Sequence, residues 1–236
     1  MRKKRIKRLI VFVVALIAAA VFMLHLNQIA AGVYEVHGAD VSQYQGEIDF
    51  IALADQGLDF VFIKATEGSI YVDKYLRQNL EAVQQSSLRF GFYHFFSFDS
   101  PAETQAENFI ANVPIINGML PPVIDVEYYG DYFSNPPDVE TTRQELKTLI
   151  DLLESHYGVK PILYSTQRAY HRYIQDAFSD CKLWIRDVYL PPVCADWTFW
   201  QYTDRAKLNG YSGPEKNIDL NVFCGSMEDF EASFCQ

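Results

Sequence analysis

The chain has 236 residues, and its 49% hydrophobic and 21% charged content is that of a folded chain rather than a disordered one. Residues 1–8 carry six basic groups, whereas all 30 acidic residues lie from Glu35 onward beside only 14 Lys and Arg. This acidic part would repel nucleic acid phosphates, so we exclude DNA and RNA as partners.

The N-terminal stretch 9–26 contains no Asp, Glu, Lys or Arg and directly follows the basic cluster. Eighteen residues of this kind are long enough to span a bilayer, and the basic cluster is expected to stay in the cytoplasm. We therefore predict a basic cytoplasmic segment (1–8), a transmembrane signal anchor (9–26), a linker (27–34) and a domain outside the cytoplasm (35–236). Small residues at 29–31 leave a cleaved, secreted form open.

Four cysteines fall in the exported part, where disulfides persist. They allow three pairings, and we predict the sequential one, Cys181–Cys194 and Cys224–Cys235. The spacings do not match a zinc site, and carboxylates with His94 offer only a weak alternative of Ca²⁺ or Mg²⁺ binding. We expect neither a metal nor a cofactor.

Strand-like and helix-like patterns alternate along the domain. The predicted strands are 35–41, 59–65, 89–95, 123–127, 161–165, 182–187, 198–202 and 218–223. The predicted helices are 73–86, 101–113, 139–157, 167–178 and 227–234; Ser100 opens the second as part of a capping box, and Gly158 ends the third. Eight such strands predict an α/β fold, an irregular TIM-like β/α barrel, with a doubly wound open sheet as the alternative.

The most informative stretch is 121–129, in which an apolar strand ends in Asp125 and Glu127. Residues two apart in a strand point to the same face, so the two carboxyl groups are expected side by side. In a barrel, Asp40 and Asp219 would meet them at the carboxyl ends of the strands. Mutual repulsion raises the pKa of such acids, and a pair of carboxyl groups with unequal pKa values is what glycoside cleavage requires.

Taken one at a time, these residues have ordinary structural explanations. Asp40 could cap a turn, Glu67 could be a solvated turn residue, and His94 could be a hydrogen-bonded core histidine. The tryptophans could simply fill the core. The joint arrangement at successive strand ends is what favours a site.

Six motifs carry a resemblance to the glycoside hydrolase family 25 lysozymes. They occur in the family's order at 38–46, 62–68, 91–95, 123–127, 197–202 and 218–223, and the resemblance covers about 36–224. It implies an N-acetylmuramidase that cleaves the β-1,4 bond between N-acetylmuramic acid and N-acetylglucosamine in peptidoglycan. It also implies that Glu127 is the general acid and that Asp125 stabilises a substrate-assisted intermediate. The anchor and the cysteines are not part of the shared motifs.

The predicted site extends beyond the catalytic acids Asp40, Asp125, Glu127 and Asp219. The predicted substrate-binding residues are Tyr44, Lys64, Glu67, Tyr93, His94, Tyr128, Tyr164, Trp184, Trp200, Gln201 and Asn221. The expected partners are peptidoglycan glycan strands and, through the N-terminal helix, the membrane; the chain is expected to be a monomer. A catalytically silent glycan-binding domain and a hydrolase of a related N-acetylated glycan such as chitin are the alternatives.

Overall fold

Nine strands of the described chain form one sheet that closes on itself. The structure is a computed structural model that describes residues 26–192 and 196–234, together with 4, 7, 8 and 11–14. The strands are β1 (His37–Val41), β2 (Phe60–Glu67), β3 (Tyr71–Val72), β4 (Arg89–Phe95), β5 (Val123–Val126), β6 (Ile162–Thr166), β7 (Leu183–Arg186), β8 (Trp197–Ala206) and β9 (Ile218–Phe223).

Six α-helices in the described parts of 50–234 accompany these strands. They are α1 (Phe50–Ala54), α2 (Leu76–Val83), α3 (Ala102–Asn112), α4 (Val139–Tyr157), α5 (Gln167–Ala169) and α6 (Met227–Phe234). Short 3₁₀ turns lie at Gln43–Gln45 and Gly130–Phe133, and a π-helical turn at Tyr170–Ile174.

The sheet is a barrel of eight strands, with β3 attached to β2 as a short hairpin. Pairing between β1 and β2 closes the ring, which confirms the barrel and rules out the open sheet. Leaving aside β3, which pairs antiparallel with β2, neighbouring strands are parallel from β1 through β8, but β9 runs antiparallel to both β8 and β1. The predicted TIM-like barrel implies eight parallel strands, and this is wrong for the last one. A parallel return needs a long crossover, whereas the helix-free loop before β9 permits an antiparallel one.

Aromatic side chains fill the half of the barrel interior that lies nearer the amino ends of the parallel strands. The ring of Phe62 stacks on Trp184 with 4.7 Å between centroids, and Phe60 lies against Phe199 at 5.1 Å. A Cβ atom built on Gly38 would lie 2.4 Å from the ring of Phe60. The glycine in the first motif is thus required by the close approach of this ring, and the filled interior leaves room for a pocket only at one end.

Helix α4 has the predicted bounds. Asp138 accepts a hydrogen bond from the backbone N–H of Thr141 at its start, and Gly158 ends it with a φ of 72°. The capping box predicted for Ser100 is wrong: the N-cap of α3 is Pro101, without a side-chain bond. The helix predicted over 167–178 is broken into α5 and the π-helical turn.

Residues 26–31 form a short helix that packs on the outside of the barrel. The Asn27 side-chain amide donates to the carbonyl oxygens of Asp187 (2.9 Å) and Tyr202 (3.2 Å), Ala31 is buried, and the ring of Tyr34 meets that of Trp197. The segment predicted as a linker, 27–34, is thus held against the domain by its own contacts.

Two predictions fall largely outside the described residues. The described residues contain no helix that is long and apolar enough to cross a membrane, and most of the predicted anchor, 9–26, is not among them. Cys194 and Cys235 also lie outside them, so both predicted disulfides stay predictions. Cys181 and Cys224 are not bonded to each other.

Candidate active site

A pocket of about 100 Å³ opens at the carboxyl ends of the parallel strands. It brings together all four predicted acids and three of the predicted aromatic residues, which come from distant parts of the sequence. The lining residues are Asp40, Tyr93, Asp125, Glu127, Tyr164, Trp184 and Asp219. The barrel thus assembles this set from six of its strands or their ends.

Asp125 and Glu127 face the pocket from the end of β5, as their spacing predicts. Asp125 is only 6% exposed, and its Oδ1 has no hydrogen-bond partner among the described atoms; Glu127 is half-buried. Burial raises the pKa of both carboxyl groups, and the charge of Glu127 raises that of Asp125 further. Arg186 opposes the rise at Glu127. The two acids therefore have different environments.

Asp40 and Asp219 lie opposite each other because β1 and β9 pair in antiparallel register. Burial raises the pKa of Asp40 to about 6, although hydrogen bonds from Asn221 and Gln201 stabilise its charged form. Burial and the nearby charge of Asp40 raise the pKa of Asp219 to about 8. At neutral pH, the cleft therefore holds fewer negative charges than carboxyl groups.

Two buried amides hold these acids in place. The Gln201 amide nitrogen donates to Asp40 (2.9 Å) and Asp219 (3.2 Å), and its oxygen accepts from the Tyr164 hydroxyl at 3.0 Å. Asn221 donates to Asp40 at 2.8 Å. Both amides are at most 1% exposed. We therefore correct their predicted role from substrate binding to positioning of the acids.

The pocket continues into a wider cavity of about 300 Å³. Asp40, Tyr93 and Asp219 line both spaces, so the two form one cleft. Tyr44 lines the wider part and is 59% exposed, which suits stacking on a sugar face. The cleft offers both a narrow reacting end and an open approach.

Lys64 and Glu67 form an ion pair of 2.7 Å beside the cleft. The Lys64 ammonium lies 4.9 Å from the ring centroid of Phe95, and its charge lowers the pKa of Asp125. Neither residue of the pair lines either cavity. The charges of Lys64 and Glu67 thus affect the pKa of Asp125, although neither side chain lines the cleft.

His94 does not reach the cleft, although it was predicted to bind substrate. Its ring is fully buried between the barrel and α3, hydrogen-bonded to Thr66 (2.7 Å) and Gln105 (3.0 Å). Burial lowers its pKa to about 4. Its neighbour Tyr93 faces the cleft, and alternation along the strand turns His94 outward.

Tyr128 and Trp200 also point away from the cleft. Tyr128 packs against Phe98 in an aromatic cluster outside the barrel, and the Trp200 indole donates to the carbonyl oxygen of Asp187 beneath Tyr34. Each is adjacent in sequence to a residue that faces inward, so the period of two places it outside. The prediction that these two line the cleft is corrected for the same reason as His94.

Two charged residues of the site were not predicted. Arg186 and Asp204 form an ion pair of 2.7 Å at the cleft mouth, and Asp204 lines the wider cavity. Arg186 lies two residues after Trp184, so the alternation that identifies the tryptophan could have identified the arginine. No group of three His, Cys, Asp or Glu side chains in the described ranges is arranged to hold a metal ion.

The barrel and its cleft define a class of protein. Paired carboxyl groups with raised and unequal pKa values, set in a narrow cleft with aromatic walls, are the arrangement that cleaves glycosidic bonds. This is the chemistry of a glycoside hydrolase.

The chain belongs to glycosyl hydrolase family 25. The model of that family, described as "Glycosyl hydrolases family 25", matches residues 39–211. A solved family 25 glycosyl hydrolase from Bacillus anthracis is similar at 55% sequence identity with a TM-score of 0.80, over 84% of this chain and 93% of that one.

Two curated relatives extend the comparison. The protein YegX of Escherichia coli K12, which is uncharacterised, is 35% identical over 84% of this chain and 73% of its own length. An autolytic lysozyme of Clostridium acetobutylicum is 28% identical over 79% of this chain and 55% of its own length.

Proposed function

We propose that this glycoside hydrolase is an N-acetylmuramidase that cleaves the β-1,4 bond between N-acetylmuramic acid and N-acetylglucosamine in peptidoglycan. The observation that carries the proposal is the pair Asp125 and Glu127 at the end of β5, one nearly buried with an unpaired oxygen and the other half-buried. The similarity to a lysozyme supports the choice of substrate.

In this mechanism Glu127 is the general acid and then the general base. Its raised pKa favours the protonated form that a general acid needs, and it gives that proton to the leaving oxygen as the glycosidic C–O bond breaks. The oxygen of the sugar's acetamido group bonds to the anomeric carbon in the same step. Water then attacks that carbon, gives its proton to Glu127 and releases the acetamido group.

Asp125 would orient the acetamido group. Its unpaired Oδ1 is an acceptor suited to the acetamido N–H. Burial raises the pKa of Asp125 strongly, so its protonated form is favoured while that oxygen has no donor. A hydrogen bond from the substrate would stabilise the ionised form of Asp125, and the resulting negative charge would favour the protonated form of Glu127. Substrate binding would thus set the protonation needed for catalysis.

Asp40 and Asp219 complete the proposed catalytic set. They are fixed by Gln201 and Asn221 on the wall opposite β5, where their oxygens can accept hydrogen bonds from sugar hydroxyl groups. Tyr44, Tyr93 and Trp184 would provide apolar faces for the sugars.

For location, the sequence supports export across the membrane and retention by the segment 9–26. The chain would act as a monomer on glycan strands outside the cytoplasm. The basic cluster before an uncharged stretch carries this part of the proposal. Release of the domain by cleavage near 29–31 would give a secreted form.

The test supplies purified peptidoglycan and chitin separately and identifies the new reducing ends. We expect reducing ends on N-acetylmuramic acid and little cleavage of chitin. Cleavage of chitin alone would assign the enzyme to a related glycan. Binding without cleavage of either polymer would support a silent glycan-binding domain.

A further inference from the structure

Within the described range 26–192, the N-terminal helix at 26–31 contacts the barrel at the end that holds the cleft. Asn27 donates to the carbonyl oxygens of Asp187 and Tyr202. Asp187 directly follows the last residue of β7, and Tyr202 follows Gln201, which is level with Arg186 in the parallel pairing of β7 and β8. Both carbonyl groups therefore lie at the carboxyl end of the barrel.

From Asn27 the chain descends along the outer wall to the opposite end. The ring of Tyr34 lies 5.2 Å from that of Trp197, the first residue of β8, and β1 begins shortly afterwards at His37. Asn27 thus lies beside the cleft and not at the far end of the barrel.

The docked segment and the cleft are immediate neighbours. A cavity of about 130 Å³ is lined by Asn27, Gln28, Tyr189 and Asp204, among others. Asp204 also lines the wider part of the cleft. The cavity at the docked segment and the cleft therefore adjoin at Asp204.

Exposed apolar side chains surround this docking point. Tyr189 is 72% exposed and Leu190 is 45% exposed, and the backbone N–H groups of both donate to the Asp187 carboxylate. Ile29, on the outer face of the short helix, is 58% exposed. Tyrosine with aliphatic neighbours is the composition found where proteins meet the membrane–water interface.

We propose that a lipid bilayer covers this surface, which we define as Ile29, Tyr189 and Leu190, so that the barrel holds its cleft end toward the membrane. The proposal rests on the proposed retention of the segment 9–26 as a membrane anchor. No free residue lies between the end of that segment and the docked Asn27. A domain tied this closely cannot turn its far end to the membrane, and the cleft would act on glycan that lies next to the lipid surface.

The experiment places the full-length chain in lipid vesicles that carry quencher-labelled lipid headgroups. A fluorescent amino acid is introduced at Tyr189 or Leu190, or at the control positions Ile115 and Val159. The controls are 63% and 41% exposed, and they precede β5 and β6 at the far end of the barrel. We expect quenching several-fold stronger at Tyr189 and Leu190. Equal or stronger quenching at the controls, or a chain that does not sediment with the vesicles, would overturn the proposal.

A second variant tests the role of the docked segment. Asn27→Ala removes both hydrogen bonds that fix it, and we expect the difference in quenching between the two ends to shrink. An unchanged difference would contradict the role of this contact. Cleavage of soluble glycan is measured on the same samples. A chain that shows the expected quenching but no cleavage would contradict only the proposed enzymatic activity. A chain that cleaves glycan but lacks the expected quenching would contradict only the proposed orientation.

Discussion

The Asn221 side-chain amide donates to Oδ1 of Asp40 at 2.8 Å, and its own oxygen accepts from the Trp184 indole at 2.8 Å. The indole thus fixes which way the amide points, and its nitrogen must face the carboxylate. One buried asparagine therefore connects an aromatic wall of the cleft to one of its acids.

We expect Asn221→Ala to destabilise the protein by about 1–3 kcal/mol, because it leaves the buried Trp184 indole N–H without a partner and leaves Oδ1 of Asp40 with only the hydrogen bond from Gln201. The loss should be larger at pH 7 than at pH 5, since the bond favours the ionised form of Asp40, whose pKa is about 6. Urea unfolding at both pH values measures this, with the exposed Asn209→Ala as control. An equal loss at both would show that the bond does not depend on the charge of Asp40.

The acids of the cleft predict a fall in stability as the pH rises. In the folded chain the pKa of Asp40 is raised from 3.8 to about 6 and that of Asp219 from 3.8 to about 8. Folding therefore favours the protonated forms. This contribution is complete below pH 3.8 and is lost as the pH rises through 6 and 8.

We expect Asp219→Asn to flatten this dependence between pH 5 and pH 8, because the amide does not ionise. The matched control is Asp151→Asn, which removes a carboxylate from an exposed ion pair with Lys147 and should leave the slope unchanged. The free energy of unfolding is measured across this pH range. If the free energy of unfolding of Asp219→Asn keeps the wild-type pH dependence, the dependence arises from groups other than Asp219.

Arg186 should set the alkaline limit of activity. Its charge lowers the pKa of Glu127, so Arg186→Ala raises that pKa and keeps the general acid protonated to a higher pH. The pH profile of kcat/KM should shift its alkaline limb upward. Arg205→Ala is the control, because Arg205 contacts the same Asp204 (3.5 Å) but is 73% exposed. Equal shifts in the two variants would argue for a general charge effect.

Substitution by Phe should have different effects on activity at the two buried tryptophans, Trp184 and Trp200. Trp200→Phe alters only the outer wall, and we expect it to cost about 1–3 kcal/mol of stability while kcat/KM of the folded protein stays unchanged. Trp184→Phe removes the indole that orients Asn221, and we expect a several-fold loss of kcat/KM in addition. Kinetics corrected for the folded fraction separate the two. A matching loss in Trp200→Phe would contradict its placement outside the cleft.

Much of the fold follows from local patterns. Helix α4, strand β4 and strand β9 have the predicted bounds, because capping residues and apolar runs mark their ends. The direction of β9 could not be read from its own residues, since pairing depends on how the chain returns. The Ser100 cap failed because the carboxylate of Glu145, on a distant helix, takes the N–H of Ala102 instead.

The predicted site residues are correct where the alternation of side chains along a strand was used to choose them, and wrong where it was not used. Asp125 and Glu127 share a face because they are two residues apart, and the same rule places His94, Tyr128 and Trp200 outside. The fixing of Asp40 by Gln201 depends on three strands meeting, which no local pattern encodes. Alternation from Trp184 could have identified Arg186, whereas Asp204 is tied to the cleft by its ion pair with Arg186 across β7 and β8.

The most direct measurement compares Glu127→Gln with the wild type on purified peptidoglycan, following both the release of reducing ends and glycan binding. We expect turnover to fall by at least about 100-fold, because a general acid contributes that much, while binding persists. The exposed Glu103→Gln serves as the matched control and should remain active. Turnover of Glu127→Gln close to that of the wild type would contradict the assignment of Glu127 as the proton donor.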